Sequence, residues 1–344
     1  MKIFDMLAEM GHEEIVLCSD PGCGYRGIIA VHSTRLGPAL GGTRFWTYAD
    51  DEEAIEDALR LSRGMTYKNA VAGLSLGGGK SIIIGDNKTT DRENIFRAHG
   101  RFVESLGGRY ITAEDVGTST KDMDFVHMET GHVAGLAGKS GDPSPVTAHG
   151  VFRAVQASAN RRWGSDSLEG KTVSIQGCGN VGRYLAEELH GAGARLVVSD
   201  IDPAKVARVA QATGANVVEA GAIYSVQADI FSPCALGGII NDETIPLLKV
   251  EVVAGGANNQ LLEDRHGDAL EARGILYAPD YVANAGGVIN VYGEVEGWDA
   301  QRALDKADDI YDTVLRVFEI AEEYKIPTYE AADRVAEQRL AAAR

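Results

Sequence analysis

Thr172-Val-Ser-Ile-Gln-Gly-Cys-Gly-Asn-Val-Gly182, followed eighteen residues later by Asp200, is the stretch on which the reading of this 344-residue chain turns. Thr172 to Gln176 reads as an apolar strand, a helical pattern opens at Asn180, and Asp200 closes the next apolar run, Ala194 to Ser199. In Gly177-x-Gly179-x-x-Gly182 the first glycine makes the tight turn and the second lets backbone approach a pyrophosphate. The third packs helix against strand, while the helix N-terminus around Asn180 and Val181 supplies positive partial charge. Strand, glycines, helix, strand and terminal acid in this order predict a Rossmann dinucleotide site. A carboxylate at Asp200 accepts from ribose hydroxyls and repels a 2′-phosphate, so the expected cofactor is NAD rather than NADP. Asp202 reads as a turn or helix-cap acid.

Outward from this motif, a helix near Thr147 to Arg161 and short apolar runs at Ala228–Phe231, Val250–Val253 and Gly274–Tyr277 continue the alternation. That rhythm predicts a parallel sheet covered on both faces. Lys139 to Pro145, rich in Gly, Ser and Pro, reads as a linker. Before it, Asp50 to Met65 reads as a helix with acids in its first turn, arginines in its last, and an apolar stripe of Ala54, Ala58, Leu61 and Met65. Ser81–Ile84 and Arg109–Thr112 read as strands around a helix over Asp91–Leu106. The run from Ala300 to Arg344 reads as helical, broken at Pro327.

The length fits about two domains. Thirty-three basic against fifty acidic residues give a net charge of −17, which repels nucleic-acid phosphate and anionic lipid, so neither is an expected partner. No apolar run reaches the roughly 18 residues of a membrane span, and no signal-peptide core is visible, so a cytoplasmic protein is expected. Cys18, Cys23, Cys178 and Cys234 lack metal-ligand spacing and read as reduced structural thiols. The eight histidines are scattered without such spacing, and no metal site is expected.

A second constellation sits in the first third. Lys68 and Lys80 flank Gly73-Leu-Ser-Leu-Gly-Gly-Gly79, and Asp115 follows a strand end in Thr112-Ala-Glu-Asp-Val-Gly117. Two ammonium groups drawn into one site, with burial added, make one of them lose its proton more readily and serve as a base. The other, kept charged, suits a substrate carboxylate. Gly79-Lys80-Ser81 is not a phosphate loop, because Leu74 stands where glycine is needed and the segment enters a strand rather than a helix.

In order along the chain, Leu36–Arg44, Met65–Ala70, Gly77–Lys80, Thr112–Gly117, Gly177–Gly182, Ala257–Leu261 and Tyr277–Val291 make the chain resemble the glutamate/leucine/phenylalanine/valine dehydrogenase family, most closely its leucine dehydrogenase branch. The resemblance implies an N-terminal α/β substrate domain over 1–135 and a Rossmann NAD-binding domain over 136–318, separated by a cleft. It also implies a C-terminal helix, 319–344, that returns to the first domain. Carried over position by position, Lys68 holds the substrate α-carboxylate, Lys80 is the base that activates water, and Asp115 exchanges protons with the amine. Leu40, Gly41, Met65, Ala113, Asn259, Val288 and Val291 belong to the substrate site. Thr147 and Asn284 contact the nicotinamide carboxamide, and Ala235 lies on a loop beside the cofactor.

The implied reaction is reversible oxidative deamination: hydride leaves the α-carbon for NAD, and water activated by Lys80 attacks the imine. Ammonia and a 2-oxo acid are released. Glutamate-specific relatives carry lysine at the position of Leu40 and serine at that of Val291. With both apolar here, glutamate would bury an unpaired charge. Val288 with Val291 fits branched aliphatic substrates, that is leucine, valine and isoleucine. Phenylalanine or another bulky apolar amino acid is the alternative, and a non-catalytic NAD-binding protein is the remaining one. A homo-oligomer is expected.

Overall fold

The computed structural model describes residues 2–139 and 141–343, so Ser140, in the expected linker, lies outside the described residues. The chain divides into two compact units. One holds the chain up to Gly141 together with Val291–Gly297 and the segment from Ala336; the other holds Asp142–Asn290 and Trp298–Val335.

Unit 1 contains α1 (Ile3–Met10), β1 (Glu14–Asp20), β2 (Tyr25–Ser33), β3 (Ala39–Trp46), α2 (Asp51–Val71), β4 (Gly77–Ile84), α3 (Arg92–Ser105), β5 (Tyr110–Glu114) and α4 (Thr120–His127). Its sheet runs β1-β2-β4-β3-β5, antiparallel across the β1/β2 and β2/β4 pairs and parallel across β3/β4 and β3/β5. The pleat sends alternate residues to opposite faces. Ile28, Ala30 and Ile82 join a core with Ile55 and Leu59 of α2, whereas Ile29, Val31 and Ile83 join one with Phe96 and Val103 of α3. Lys80, two residues before Ile82 and paired with Ala30, shares the α2 side of this alternation.

Helix α2 begins where Asp50 accepts a hydrogen bond from the Glu53 amide at 2.9 Å, and it runs six residues past the expected end, which puts Met65 and Lys68 inside the helix. The expected apolar stripe is also shifted. Leu61 and Met65 are only partly buried, while Ser62, Thr66 and Asn69 are fully covered. Small polar residues fit there because the strand beneath is glycine: a Cβ on Gly78 would overlap the Thr66 backbone. Asn69 secures the contact by donating to the Gly77 carbonyl at 2.5 Å.

Unit 2 contains α5 (Ser144–Trp163), β6 (Thr172–Gln176), α6 (Asn180–Gly191), β7 (Arg195–Ser199), α7 (Pro203–Thr213), β8 (Asn216–Val217), β9 (Ile230–Pro233), β10 (Val252–Val253), α8 (Arg265–Ala272), β11 (Leu276–Tyr277) and α9 (Asp280–Ala283). Helices α10 (Gly286–Glu296), α11 (Ala300–Ala307), α12 (Ile310–Tyr324) and α13 (Thr328–Ala342) follow. The sheet order is β11-β10-β9-β6-β7-β8, all parallel. This is the doubly wound Rossmann order, in which the first strand, here β6, lies at the switch point. Asp202 caps α7 through the Ala204 amide at 2.9 Å.

One expectation changes. Ser144 and Pro145 open α5 instead of forming a linker, because proline fits the first helical turn, where no backbone donor is needed. The chain passes between the units after Gly141, on either side of Val291–Gly297, and after Val335 inside α13. Glu294 accepts from the amides of Gly135 and Leu136 at 3.0–3.2 Å, holding that segment in unit 1. Arg339 donates to the carbonyls of Ala70 and Leu74 at 2.9 Å, so only the last turns of α13 are tied there. Among the described residues, no helix is long and apolar enough to cross a membrane.

Candidate active site

In unit 1 the candidate residues come from four elements. Leu40 and Gly41 lie on β3, Met65 and Lys68 on α2, Lys80 on β4 and Ala113 on β5; Asp115 follows the β5 end. The sheet register aligns Gly41 with Thr112 and Gly42 with Ala113, and a Cβ on Gly42 would come within 2.7 Å of Asp115 Cβ. Asp115 sits in a turn closed by Thr118, whose hydroxyl accepts from the Asp115 amide at 2.9 Å and lies 3.1 Å from the Thr43 carbonyl. Gly117 completes the turn at φ +80°, where an L side chain would be strained.

The Lys80 ammonium donates to Oδ2 of Asp115. The lysine side chain is 7% exposed and the aspartate 24%. Burial disfavours the ammonium and lowers the Lys80 pKa from the ordinary lysine value; Asp115 opposes that, and Arg44 adds to it. Burial alone would raise the Asp115 pKa, but Lys80 and then Arg44 hold it below the usual aspartate value. The pair is therefore an ionised carboxylate beside an amine that deprotonates unusually readily, the electrostatic arrangement of a general base. The like charge that acts on Lys80 includes Arg44, the last residue of the Leu36–Arg44 motif, whose sequence alone assigns it no role. Asp57, which pairs with Arg44, was missed altogether. An acid one turn from Ala54 and Leu61, on the helix face expected to be apolar, was the available signal.

Beneath these residues, on the opposite face of the sheet, Thr43, Ser81, Thr112 and His99 form a fully buried polar network. Tyr25 and Tyr110 complete it through His99 Nδ1 at 2.9 Å and Ser81 Oγ at 3.0 Å. Burial pushes the His99 pKa down to about 3, so the ring stays neutral.

In unit 2 the fingerprint residues surround the C-terminal end of β6. Gly177 has φ +99°, and a Cβ there would stand 2.9 Å from Ala235; a Cβ on Gly182 would overlap the Gly177 carbonyl. Gly179, by contrast, has nothing within 4 Å, the open cradle that a pyrophosphate needs. Asn180 and Val181 form the first turn of α6. Asp200, just past β7, accepts from the Cys178 amide at 2.7 Å and from the Asp202 amide at 2.9 Å. Val181 lies beside Gly256, whose carbonyl accepts from Asn284 at 3.2 Å. Thr147, at the start of α5, lies against Gly286 and Gly287. Asn284 is buried, and its Oδ1 has no hydrogen-bond partner, an acceptor suited to a carboxamide N–H. These residues fit a nicotinamide dinucleotide.

Of the remaining residues expected at the substrate, Asn259 and Val288 belong to unit 2 and Val291 to unit 1. Asn259 is exposed at φ 50°, a left-handed conformation that asparagine tolerates better than most residues. Val288 is buried and Val291 partly so. Among the described residues no cluster of three or more side chains is arranged to hold a metal ion.

Comparison with known proteins places both units in one family context. Residues 12–132 match the description "Glu/Leu/Phe/Val dehydrogenase, dimerisation domain", and residues 138–204 and 199–344 match "Glutamate/Leucine/Phenylalanine/Valine dehydrogenase". The chain is 58% identical over 343 residues to a leucine dehydrogenase of Thermoactinomyces intermedius, covering 99% of this chain and 94% of that one. It is 50% identical over 340 residues to a valine dehydrogenase of Streptomyces albus, covering 97% and 93%. The crystal structure of L-tryptophan dehydrogenase from Nostoc punctiforme is similar with a TM-score of 0.92 at 48% identity, covering 99% of both chains.

Proposed function

The chain belongs to the glutamate/leucine/phenylalanine/valine dehydrogenase family, and from that premise we propose that it catalyses the NAD-dependent, reversible oxidative deamination of leucine, valine and isoleucine to 2-oxo acids and ammonia. It is an amino acid dehydrogenase with a domain for a nicotinamide cofactor. The observation that carries the reaction is the buried Lys80–Asp115 pair.

The cofactor, when bound, accepts the hydride from the substrate α-carbon. Everything else is supplied by the chain's own residues. Lys68 holds the α-carboxylate as a charged ammonium, and Asp115 holds the amine and exchanges a proton with it. Lys80, whose burial makes its neutral form accessible, takes a proton from water and returns it as ammonia leaves. Gly177, Gly179 and Gly182 cradle the pyrophosphate, Asp200 selects the free ribose of NAD, and Thr147 and Asn284 orient the nicotinamide.

Substrate preference rests on Leu40, which is 2% exposed. It offers no cation to a distal carboxylate, and burying that charge unpaired costs several kcal/mol at least, on the order of the penalty for an isolated ion. The relative from Nostoc named for tryptophan supports a second reading, in which the pocket takes an aromatic side chain. The description "dimerisation domain" over residues 12–132 supports a homo-oligomer, and four unpaired thiols support a reducing, cytoplasmic setting.

The deciding measurement is NADH formation with leucine, valine, isoleucine, phenylalanine, tryptophan and glutamate, compared by kcat/KM. The proposal expects branched aliphatic substrates first and glutamate near zero. A preference for tryptophan or phenylalanine establishes the second reading, and binding of NADH without turnover on any amino acid rejects the reaction.

A further inference from the structure

Arg44 stands between two carboxylates from different elements. Its Nη1 donates to Asp57 Oδ2 on α2 at 2.7 Å, and its Nε lies 3.5 Å from Asp115 Oδ2, the oxygen that also receives the Lys80 ammonium. That Nε is buried and makes no hydrogen bond of its own, and Asp115 Oδ2 is the carboxylate oxygen paired with it. Asp57 is saturated from its other sides: Tyr48 donates to Oδ2 at 2.8 Å and Arg60 to Oδ1 at 2.9 Å. The charges alternate along Arg60, Asp57, Arg44, Asp115 and Lys80, beginning at an exposed arginine and ending at a buried lysine. The side chains of Arg44 and Asp57 are 23% and 15% exposed, shielded enough for their fields to be felt beyond the first neighbour.

We propose that Arg44 is a positioning residue for the deamination: with Asp57 as its counter-ion, it holds the Asp115 carboxylate against Lys80 in the orientation that proton exchange needs. This rests on the reaction proposed above. A carboxylate gripped by one cation can rotate about its χ2 bond; gripped from two directions, it cannot. Arginine suits the position because its fork reaches two acids at once, whereas a lysine ammonium is a single point charge.

The arrangement has an electrical signature that a merely structural contact lacks. The charged groups acting on Lys80 are Asp115 beyond β5, Arg44 on β3 and Asp57 on α2; Arg44 in turn faces Asp57, Asp115 and Tyr48. Arg44 disfavours the ammonium, and the two acids favour it. Neutralising Arg44 and neutralising Asp57 therefore displace the acid limb of the kcat–pH profile in opposite directions. Arg44→Gln moves it to higher pH, and Asp57→Asn moves it to lower pH.

The test measures kcat and KM for leucine oxidation against pH in Arg44→Gln, Arg44→Lys and Asp57→Asn. Arg44→Gln is expected to lose roughly ten- to a hundredfold in kcat with KM little changed. Arg44→Lys should restore the position of the limb but only part of kcat. Limbs that move together, or stay in place, overturn the proposal, as does Arg44→Gln with wild-type kcat. Trace acetylation of Lys80 by acetic anhydride, read by peptide mass spectrometry against pH, reports the same opposite displacements without turnover. Absence of turnover on every amino acid would sink the reaction, while the labelling result would still decide whether Arg44 and Asp57 act on Lys80.

Discussion

Lys80 and Asp115 share a hydrogen bond between side chains that are both largely withdrawn from water, one on β4 and the other just beyond β5. Strand β3 lies between those two strands in the sheet, so the pair bridges it. Neither charge is solvated enough to be comfortable alone, and each makes the other tolerable. Lys80→Ala should cut kcat by roughly 10²- to 10⁴-fold, the usual contribution of a positioned base, and leave NADH affinity unchanged. Steady-state rates beside a fluorescence titration with NADH check both halves, and an active Lys80→Ala enzyme would remove the base from the mechanism.

Acid sensitivity should come from histidines rather than from this pair alone. Burial lowers His99 to about 3 and His32 to about 4, so both are neutral in the fold. The unfolded chain protonates them near pH 6.5. Their stabilisation is therefore complete above that value and is lost as pH falls toward 4 and then 3, at about 1.4 kcal/mol per pH unit for each ring. Urea unfolding at a series of pH values should show this slope, and His32→Gln should make it shallower. A wild-type stability that stays flat below about pH 6 contradicts the prediction.

A glycine in the α2–β4 contact and one on the exposed side of α2 should respond with opposite signs. A Cβ on Gly78 would overlap the Thr66 backbone, whereas one on Gly64, within α2, meets nothing within 4 Å. Gly64→Ala should raise stability by about 0.5–1 kcal/mol through the helix propensity of alanine. Gly78→Ala should lower it by roughly 1–3 kcal/mol or more, because backbone must give way. Thermal unfolding of the two variants gives the comparison.

Coenzyme choice should reside in one carboxylate. Asp200→Ser removes the charge that would repel a 2′-phosphate and keeps a small polar group at the end of β7. The ratio of kcat/KM for NAD over NADP should fall by roughly tenfold or more, one strong charge-assisted contact being worth about 1.5–3 kcal/mol. An unchanged ratio would move the selectivity elsewhere in the loop.

Local pattern made some elements legible and left others hidden. The β6–α6 junction could be read directly, because strand, glycines, helix and acid are contiguous and each residue answers to a constraint within a few bonds. The end of α2 could not. Its last turns carry Ser62, Thr66 and Asn69, small polar residues that give no apolar stripe, and they are buried because β4 is glycine beneath them. Arg44 and Asp57 were hidden for a related reason: thirteen residues separate them, and only the packing of α2 on the sheet makes them partners.

By itself, the sequence determined the parallel nucleotide-binding unit and the ordered motifs of the family, and it singled out Asp200, Lys80 and Asp115 as the candidate residues for coenzyme and catalysis. These follow from periodicity, glycine spacing and residue chemistry, which are local properties of the chain. Only the tertiary structure decided the state of those groups. Burial and the neighbouring Arg44 lower the pKa of Lys80 below the ordinary lysine value while Asp115 opposes them, and the turn at Asp115 to Thr118 aims the carboxylate at it. Desolvation and field depend on what surrounds an atom in space, and residues from β3, α2 and β4 become one environment only when the sheet closes around them.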